Sequence, residues 1–309
     1  MNFKRLAAMV LATSALGLTQ ICLAADGVLE ISQTCAAGDG CFPGDAPGFP
    51  VQILNSGSYI LTSDLTVPAL THGIATWEDT ENRLSEISLS IDLNGFTISS
   101  TTNCTGVPLV CSPTSTNEAY GVVVIVETGG TLTARIHSGQ IDGMATGGIA
   151  CQGGACVVES ITLSENGFHG YVGDGVIRNA AAFKNGNTGI AALNELAIHQ
   201  CFSGSNGAVG IFGRGTLEGN VVVDNPDIGI TAINSVLRGN KVSGSDIGIQ
   251  CDICSALENH VTSTTTAAID FENSNSAYGG NILRSNGDAV LNAGNAVVLS
   301  PNACNTACP

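Results

Sequence analysis

The sequence predicts an all-β solenoid, a single domain in which one short unit is written repeatedly and parallel strands stack along an axis. Three observations predict it. From about Val157 to Leu291 the unit recurs seven times with a period of 19 to 22 residues. Two copies are Leu217-Glu218-Gly219-Asn220-Val221-Val222-Val223-Asp224-Asn225-Pro226-Asp227-Ile228-Gly229-Ile230 and Leu237-Arg238-Gly239-Asn240-Lys241-Val242-Ser243-Gly244-Ser245-Asp246-Ile247-Gly248-Ile249. A period of that length marks units that bury their apolar faces only on their neighbours.

The second observation is three apolar columns. One runs Ile136, Val158, Ile177, Ile198, Leu217, Leu237, Ala256, Tyr278. The next runs Ile141, Leu163, Ala182, Ser203, Val222, Val242, Val261, Leu283. The last follows the glycine: Ile149, Tyr171, Ile190, Ile211, Ile230, Ile249, Ile269, Val290. Three short β-branched runs per unit, parted by Gly, Asn and Ser, read as three strands and three turns. No helical period competes over a comparable length. The third observation is a polar column, Cys201, Asn220, Asn240, Asn259, Asn281, between the first two. Stacked asparagines can hydrogen-bond from coil to coil.

Taken in order, Met1 to about Ala24 reads as a signal peptide. Lys4-Arg5 precedes an apolar run through Leu18, and Cys22-Leu23-Ala24 offers a small-residue cleavage site. The segment is too short and wrongly flanked for a stable membrane span, and no later run is long and apolar enough for one. Residues 25–75 differ from the repeat and read as an N-terminal cap, which a solenoid needs over its first coil. Within it, Gly38 to Pro50 is loop chemistry closed by Cys35 and Cys41. Asp39 and Asp45 read there as turn formers rather than calcium ligands. Ser56 to Val67 reads as a hairpin or first coil.

Residues 76–298 read as the coils. Ile87, Leu89, Ile91 and Leu93 alternate on one face. Residues 99–120 are an inserted Ser/Thr-rich loop, its only charge Glu118, read as a passive insertion. Residues 299–309 form a disulfide-closed tail.

Charge and cysteines bound the function. Cleavage at Ala24 removes two of ten basic residues and none of 26 acidic ones, leaving 8 against 26, or −18. Such a surface repels a duplex or an acidic glycan, so nucleic acid is not an expected partner. Ten of the remaining cysteines fall into close pairs: Cys35/Cys41, Cys104/Cys111, Cys151/Cys156, Cys251/Cys254 and Cys304/Cys308. In an exported chain these read as disulfides. Cys251-Asp252-Ile253-Cys254 lacks a second pair or nearby His to complete a metal site. Neither metal nor cofactor is expected. Cys201 is left as a small buried thiol.

The Asn-x-apolar…Asn-x-x-Gly-Ile unit, with Ser90-Ile91-Asp92-Leu93-Asn94-Gly95-Phe96-Thr97-Ile98, resembles the right-handed parallel β-helix proteins, the pectate-lyase-like group and its NosD-type repeats. It covers about two thirds of the chain. The resemblance implies a right-handed parallel β-helix of nine or ten coils, about 45 Å long at the strand spacing. It says less of function, because lyases, hydrolases, epimerases and non-catalytic proteins share such repeats. In that group the asparagine ladder marks the second turn, which implies that the strand after Gly-Ile carries the usual groove. Its outward row reads Ala150, Val172, Ala191, Phe212, Thr231, Gln250, Asp270, Leu291, with one carboxylate and no base. The polygalacturonase pattern fails too: Asn-Thr-Asp, Asp-Asp and Gly-His-Gly are missing, and Arg135-Ile136-His137 only echoes its Arg-Ile-Lys.

The most ordered polar feature is the position after each first-column residue: His137, Glu159, Arg178, His199, Glu218, Arg238. Its neighbour points inward, so this row points outward. At the parallel-strand spacing of about 4.8 Å, Glu159 can pair with Arg178 and Glu218 with Arg238. The expected reading is a surface charge ladder, each pair contributing about 0–1 kcal/mol. The competing reading is a hydrolase or lyase site. Glu159 would then be acid or base, Arg178 would hold substrate, His137 would complete proton transfer, and residues 99–120 and 151–156 would wall the groove. His169 and Asp174 read as turn residues, Lys184 and Asp224 as a solvated pair, and His260 as exposed. The expectation is a secreted or periplasmic, carbohydrate-associated protein binding a neutral or weakly charged glycan. A polysaccharide hydrolase or lyase, and a structural surface module, are the alternatives.

Overall fold

The computed structural model describes residues 27–76, 84–115, 119–272, 275–285, 289–292 and 295–305. They form a right-handed parallel β-helix of about 10 turns. The apolar columns are its core. Leu217 pairs with Leu237 and Leu237 with Ala256. Val222 pairs with Val242 and Val242 with Val261. Ile211 pairs with Ile230 and Ile230 with Ile249. All nine are 0–2 % exposed. The corner between third and first columns is so shallow that both lie on one strand, as in Val209–Glu218.

Two corners turn sharply, and each carries a ladder. At the first corner, between columns one and two, Asn220 Nδ2 donates to Asn240 Oδ1 at 2.9 Å, Asn240 to Asn259 at 2.9 Å and Asn259 to Asn281 at 3.1 Å. Asn281 adds a further rung to Asn302 at 3.0 Å. Each Oδ1 also accepts the preceding asparagine's backbone N–H. Donors that the turn would bury unpaired are thereby satisfied. At the second corner, between columns two and three, Asn166, Asn185, Asn206 and Asn225 make an equivalent ladder at 2.9–3.0 Å. Only the first ladder was expected. The second is written in the repeat as Asn-x-x-x-Gly, one residue wider than the spacing read from the unit.

The glycine before each third-column residue is required by close approach. A Cβ on Gly210 would stand 2.5 Å from Val222 Cγ1, and one on Gly248 2.2 Å from Val261 Cγ1. The second column lies against this backbone, leaving no room for a methyl group.

The segment read as a cap already follows the coil register. Val28–Ile31 pairs in parallel with Gly57–Leu61, which pairs in parallel with Leu84–Asp92. Ser56 to Val67 is therefore a coil and not a hairpin, and Leu29, Tyr59 and Ile91 precede Ile136 in the first column. Asp45 accepts from the Cys41 and Gln52 backbone N–H groups, each at 2.7 Å, which is a turn-forming role.

The third column needs one correction. Ile269 pairs with Leu291, not Val290, and Asp270 with Asn292. Leu291 is buried, although it was read as outward. The last coil lacks the Gly-Ile pair that sets the alignment elsewhere. Val261 to Ile269 spans the same interval as Leu283 to Leu291, so column two predicts the position better.

Disulfides join Cys35–Cys41, Cys104–Cys111, Cys151–Cys156 and Cys251–Cys254. Cys304 is disulfide-bonded, and its expected partner Cys308 lies outside the described residues. So do the signal segment and Glu118, while Ile87 is described by its backbone alone. Cys201 is free and buried. No helix among the described residues is long and apolar enough to cross a membrane.

Candidate functional site

The charged row is continuous in the register. His137 pairs with Glu159, Glu159 with Arg178, Arg178 with His199, His199 with Glu218, and Glu218 with Arg238. Each sits one residue past a buried column-one side chain, so strand alternation turns the row outward. Asp92 precedes His137, and its carboxylate lies 3.4 Å from His137 Nδ1.

Glu159 is the centre of the first half. Arg178 Nε donates to one carboxylate oxygen at 2.6 Å, and Arg135 Nε donates to the other at 2.6 Å. Arg135 Nη2 contacts that oxygen too. The carboxylate is 12 % exposed while the arginines are half in water. The Arg135 hydrogen bond, followed by that of Arg178, outweighs burial and holds the Glu159 carboxyl below the usual range. With both oxygens taken and its proton affinity lowered, Glu159 is poorly suited to donate a proton. In the sequence Arg135 is weighed only as an echo of Arg-Ile-Lys and is missed as a partner of Glu159. Its signal was available, two residues before His137 on the same strand face.

The second half differs. Arg238 turns away from Glu218 and binds Glu258 in a fork, Nε to Oε2 at 3.0 Å and Nη2 to Oε1 at 3.1 Å. The expected Glu218–Arg238 pair does not form, because Glu258 presents both oxygens to a planar guanidinium. Glu218 is left with His199 at 3.6 Å. His199, Gln200, Glu218, Gly219, Arg238, Gly239 and Glu258 line an open groove of about 490 Å³.

The inserted loop does not wall this row. Its hairpin, Asn103–Thr105 with Val110–Ser112, lies over the second corner, where both half-cystines contact the Asn166 carbonyl oxygen. The expected wall from residues 99–120 is thus at the wrong corner, because the loop's feet tie to Gly143 and Ala145. Residues 151–156 lie within strand Gly147–Ser164, closed by their own disulfide.

On the strand after the glycine, the outward row runs to Asp270, whose register partner is Asn292 rather than Leu291. Its first members, Ala75, Val123 and Ala150, are buried with Ile125 under Tyr120 and Val172. Gln250 Nε2 donates to Glu272 at 2.7 Å. His72 accepts the Tyr120 backbone N–H at 3.2 Å, and burial pushes its pKa down to about 4, so the ring is neutral. Asp174, read as a turn residue, lies within strand His169–Arg178, as does His169, and it accepts from Asn194 N and Nδ2. Lys184 pairs with Glu165 at 3.3 Å and not with Asp224. His260 is half-buried rather than exposed, and His169 Nδ1 and His260 Nε2 are buried without a hydrogen-bond partner among the described residues.

No family model matches the chain, and no curated protein matches it. Solved structures do. The periplasmic alginate epimerase AlgG is 15 % identical with a TM-score of 0.58, over 83 % of this chain and 77 % of its own. The Azotobacter vinelandii mannuronan C-5 epimerase AlgE6 A-module is 13 % identical with a TM-score of 0.55, over 91 % and 89 %. Geobacillus virus E2 ORF18 is 12 % identical with a TM-score of 0.58, over 82 % and 56 %. Likenesses at such identities speak for the path of the chain, and what they share with it is the right-handed parallel β-helix.

Proposed function

We propose that this chain is an exported, carbohydrate-associated β-helix protein that binds a neutral or weakly charged glycan on its outer face. The observation that carries the reading is the open groove over His199, Glu218, Arg238 and Glu258. Its polar side chains recur at the coil spacing of about 4.8 Å, and such a row offers a repeating polymer repeated hydrogen bonds. The neighbours named as alginate and mannuronan epimerases support carbohydrate as the ligand class. The formal charge of −16 weighs against a polyuronate. Export rests on the signal-peptide reading of residues 1–24, and the disulfides suit an oxidising compartment, secreted or periplasmic.

The test is a glycan array on the mature protein, followed by reducing-sugar and unsaturated-product assays on every hit. Binding to neutral glycans that weakens in Glu218→Gln supports the reading. Silence across the array sinks it. Product release that vanishes in Glu218→Gln would convert the binding protein into a hydrolase or lyase.

A further inference from the structure

A second groove lies at the other sharp corner of the coil. The disulfide-stapled hairpin leans over the second-corner ladder, and the two enclose about 400 Å³ between Gly106, Pro108, Leu109 and the turn residues Lys184, Ser205, Asp224 and Pro226. That volume falls in the range of small-ligand sites, about 300–1,000 Å³. Both sides of the groove are held. The Cys104 and Cys111 sulfurs lie 3.7 and 3.8 Å from the Asn166 carbonyl oxygen. The hairpin's feet are tied by Thr102 N to Gly143 O at 2.9 Å and Ser115 N to Ala145 O at 3.0 Å. Opposite, the asparagine ladder Asn166 to Asn225 fixes the turns from beneath.

The chemistry of the walls is asymmetric. The hairpin side is apolar, with half-buried Leu109 beside Pro108. The turn side is a column of residues in the left-handed region, Lys184, Ser205 and Asp224, with φ of 51–53°. The charge of Lys184 is already met by Glu165. Asp224 has no ion-pair partner among the described residues, so the groove carries a surplus carboxylate and disfavours an anion. A sugar ring presents an apolar C–H face and a rim of hydroxyls. The hairpin wall suits that face, while the Asp224 carboxylate accepts from hydroxyls and Lys184 and Ser205 donate to them.

We propose that the cleft between the 103–112 hairpin and the second-corner turns is a second binding site for a neutral sugar unit, with Asp224 and Leu109 as its polar and apolar contacts. The site rests on the carbohydrate reading above but uses a different corner from the groove at Glu218. The inserted loop is then a recognition element on a rigid scaffold.

The test is calorimetric titration of the mature protein with three neutral probes, the hexaoses of β-1,4-glucan, β-1,3-glucan and β-1,4-mannan. Variants are Asp224→Asn, whose side chain tolerates the left-handed backbone, Leu109→Ser, and Glu218→Gln in the other groove. Thermal melting checks that each folds. The site predicts at least a tenfold weaker Kd, or loss of one of two binding events, in both Asp224→Asn and Leu109→Ser. Hexaose binding lost in Glu218→Gln but untouched by Asp224→Asn and Leu109→Ser overturns the second site and leaves the carbohydrate reading standing. Binding of no hexaose by the wild type overturns the second site, and silence across the glycan array as well overturns both. Uptake of the apolar dye 8-anilinonaphthalene-1-sulfonate that Leu109→Ser abolishes, without hexaose binding, reassigns the cleft to an apolar partner.

Discussion

The same words, His-Glu-Arg, are written twice along one face of the coil, and the two copies do different things. In the first, Glu159 is gripped by Arg135 and Arg178. In the second, Glu218 meets His199, and Arg238 forms its ion pair with Glu258. The cause is in the neighbouring rows. The position of Arg135 is occupied one coil after another by Val157, Val176 and then Ala197, so the second glutamate has no counterpart of Arg135. Beyond Arg178 the coil offers Gln200, whereas beyond Arg238 it offers Glu258. The scaffold beneath changes as well. The first-corner turn holds apolar Ile161 and Ala180 under the first copy and the asparagine ladder from Asn220 on under the second. The second-corner ladder runs from Asn166 to Asn225 and then gives way to Ser245 and Thr264. A repeat therefore fixes where side chains stand, while their partners depend on residues outside the repeated word.

The largest expected effect would break the comparison outright, since it assumes that both copies face out. Leu217→Asp, one residue before Glu218, loses about 1.5–3 kcal/mol of burial and adds the cost of a buried charge. Glu218→Asp should shift chemical-denaturation midpoints little. Equal damage at both positions would mean the register is off by one, because one residue flips the face. Next in size are the ladders. Asn240→Ala orphans the buried backbone N–H of Asn220 and leaves its Nδ2 with the Ile198 carbonyl oxygen alone. Asn185→Ala removes the acceptor of both the backbone N–H and the Nδ2 of Asn166. Each should cost about 2 kcal/mol or more in urea unfolding, and a loss confined to one corner would show that the ladders are not equivalent.

Smaller effects sharpen the contrast between the two glutamates. Glu159→Gln should destabilise by about 1 kcal/mol, since the arginines are half in water and the pairs are screened. Glu218→Gln should stay within about 0.5 kcal/mol. The pH dependence follows from the lowered Glu159 pKa. Its contribution is fully present above the ordinary carboxylate value and is lost as pH falls through the depressed one. Melting temperatures of wild type and Glu159→Gln should therefore converge on the acid side, and parallel curves down to unfolding would contradict the clamp.

The smallest effect concerns Cys201, where the first-corner ladder begins. Burial pushes its thiol up to about 11, so alkylation should require unfolding. Cys201→Asn should extend the ladder with a stability change within about 1 kcal/mol.

By itself, the sequence determined the periodic part of this protein. Leu217, Leu237 and Ala256 could be placed in one column because a coil of nearly constant length returns the chain to the same point, and the inside favours apolar residues. The near pairs Cys35/Cys41, Cys104/Cys111, Cys151/Cys156 and Cys251/Cys254 were legible for a similar reason, since short loops keep the sulfurs close. Where the period weakens, at Leu291, alignment slipped by one residue. The rest required three dimensions. Long charged side chains reach several neighbours at once, so Glu159 could take Arg135 and Arg178, and Arg238 could choose between Glu218 and Glu258. The inserted loop carries no repeat to register it, and only its packing over Asn166 revealed which corner it covers. Backbone position follows from a local periodic constraint, whereas ion pairing and loop placement are competitions among non-local partners that only the folded chain resolves.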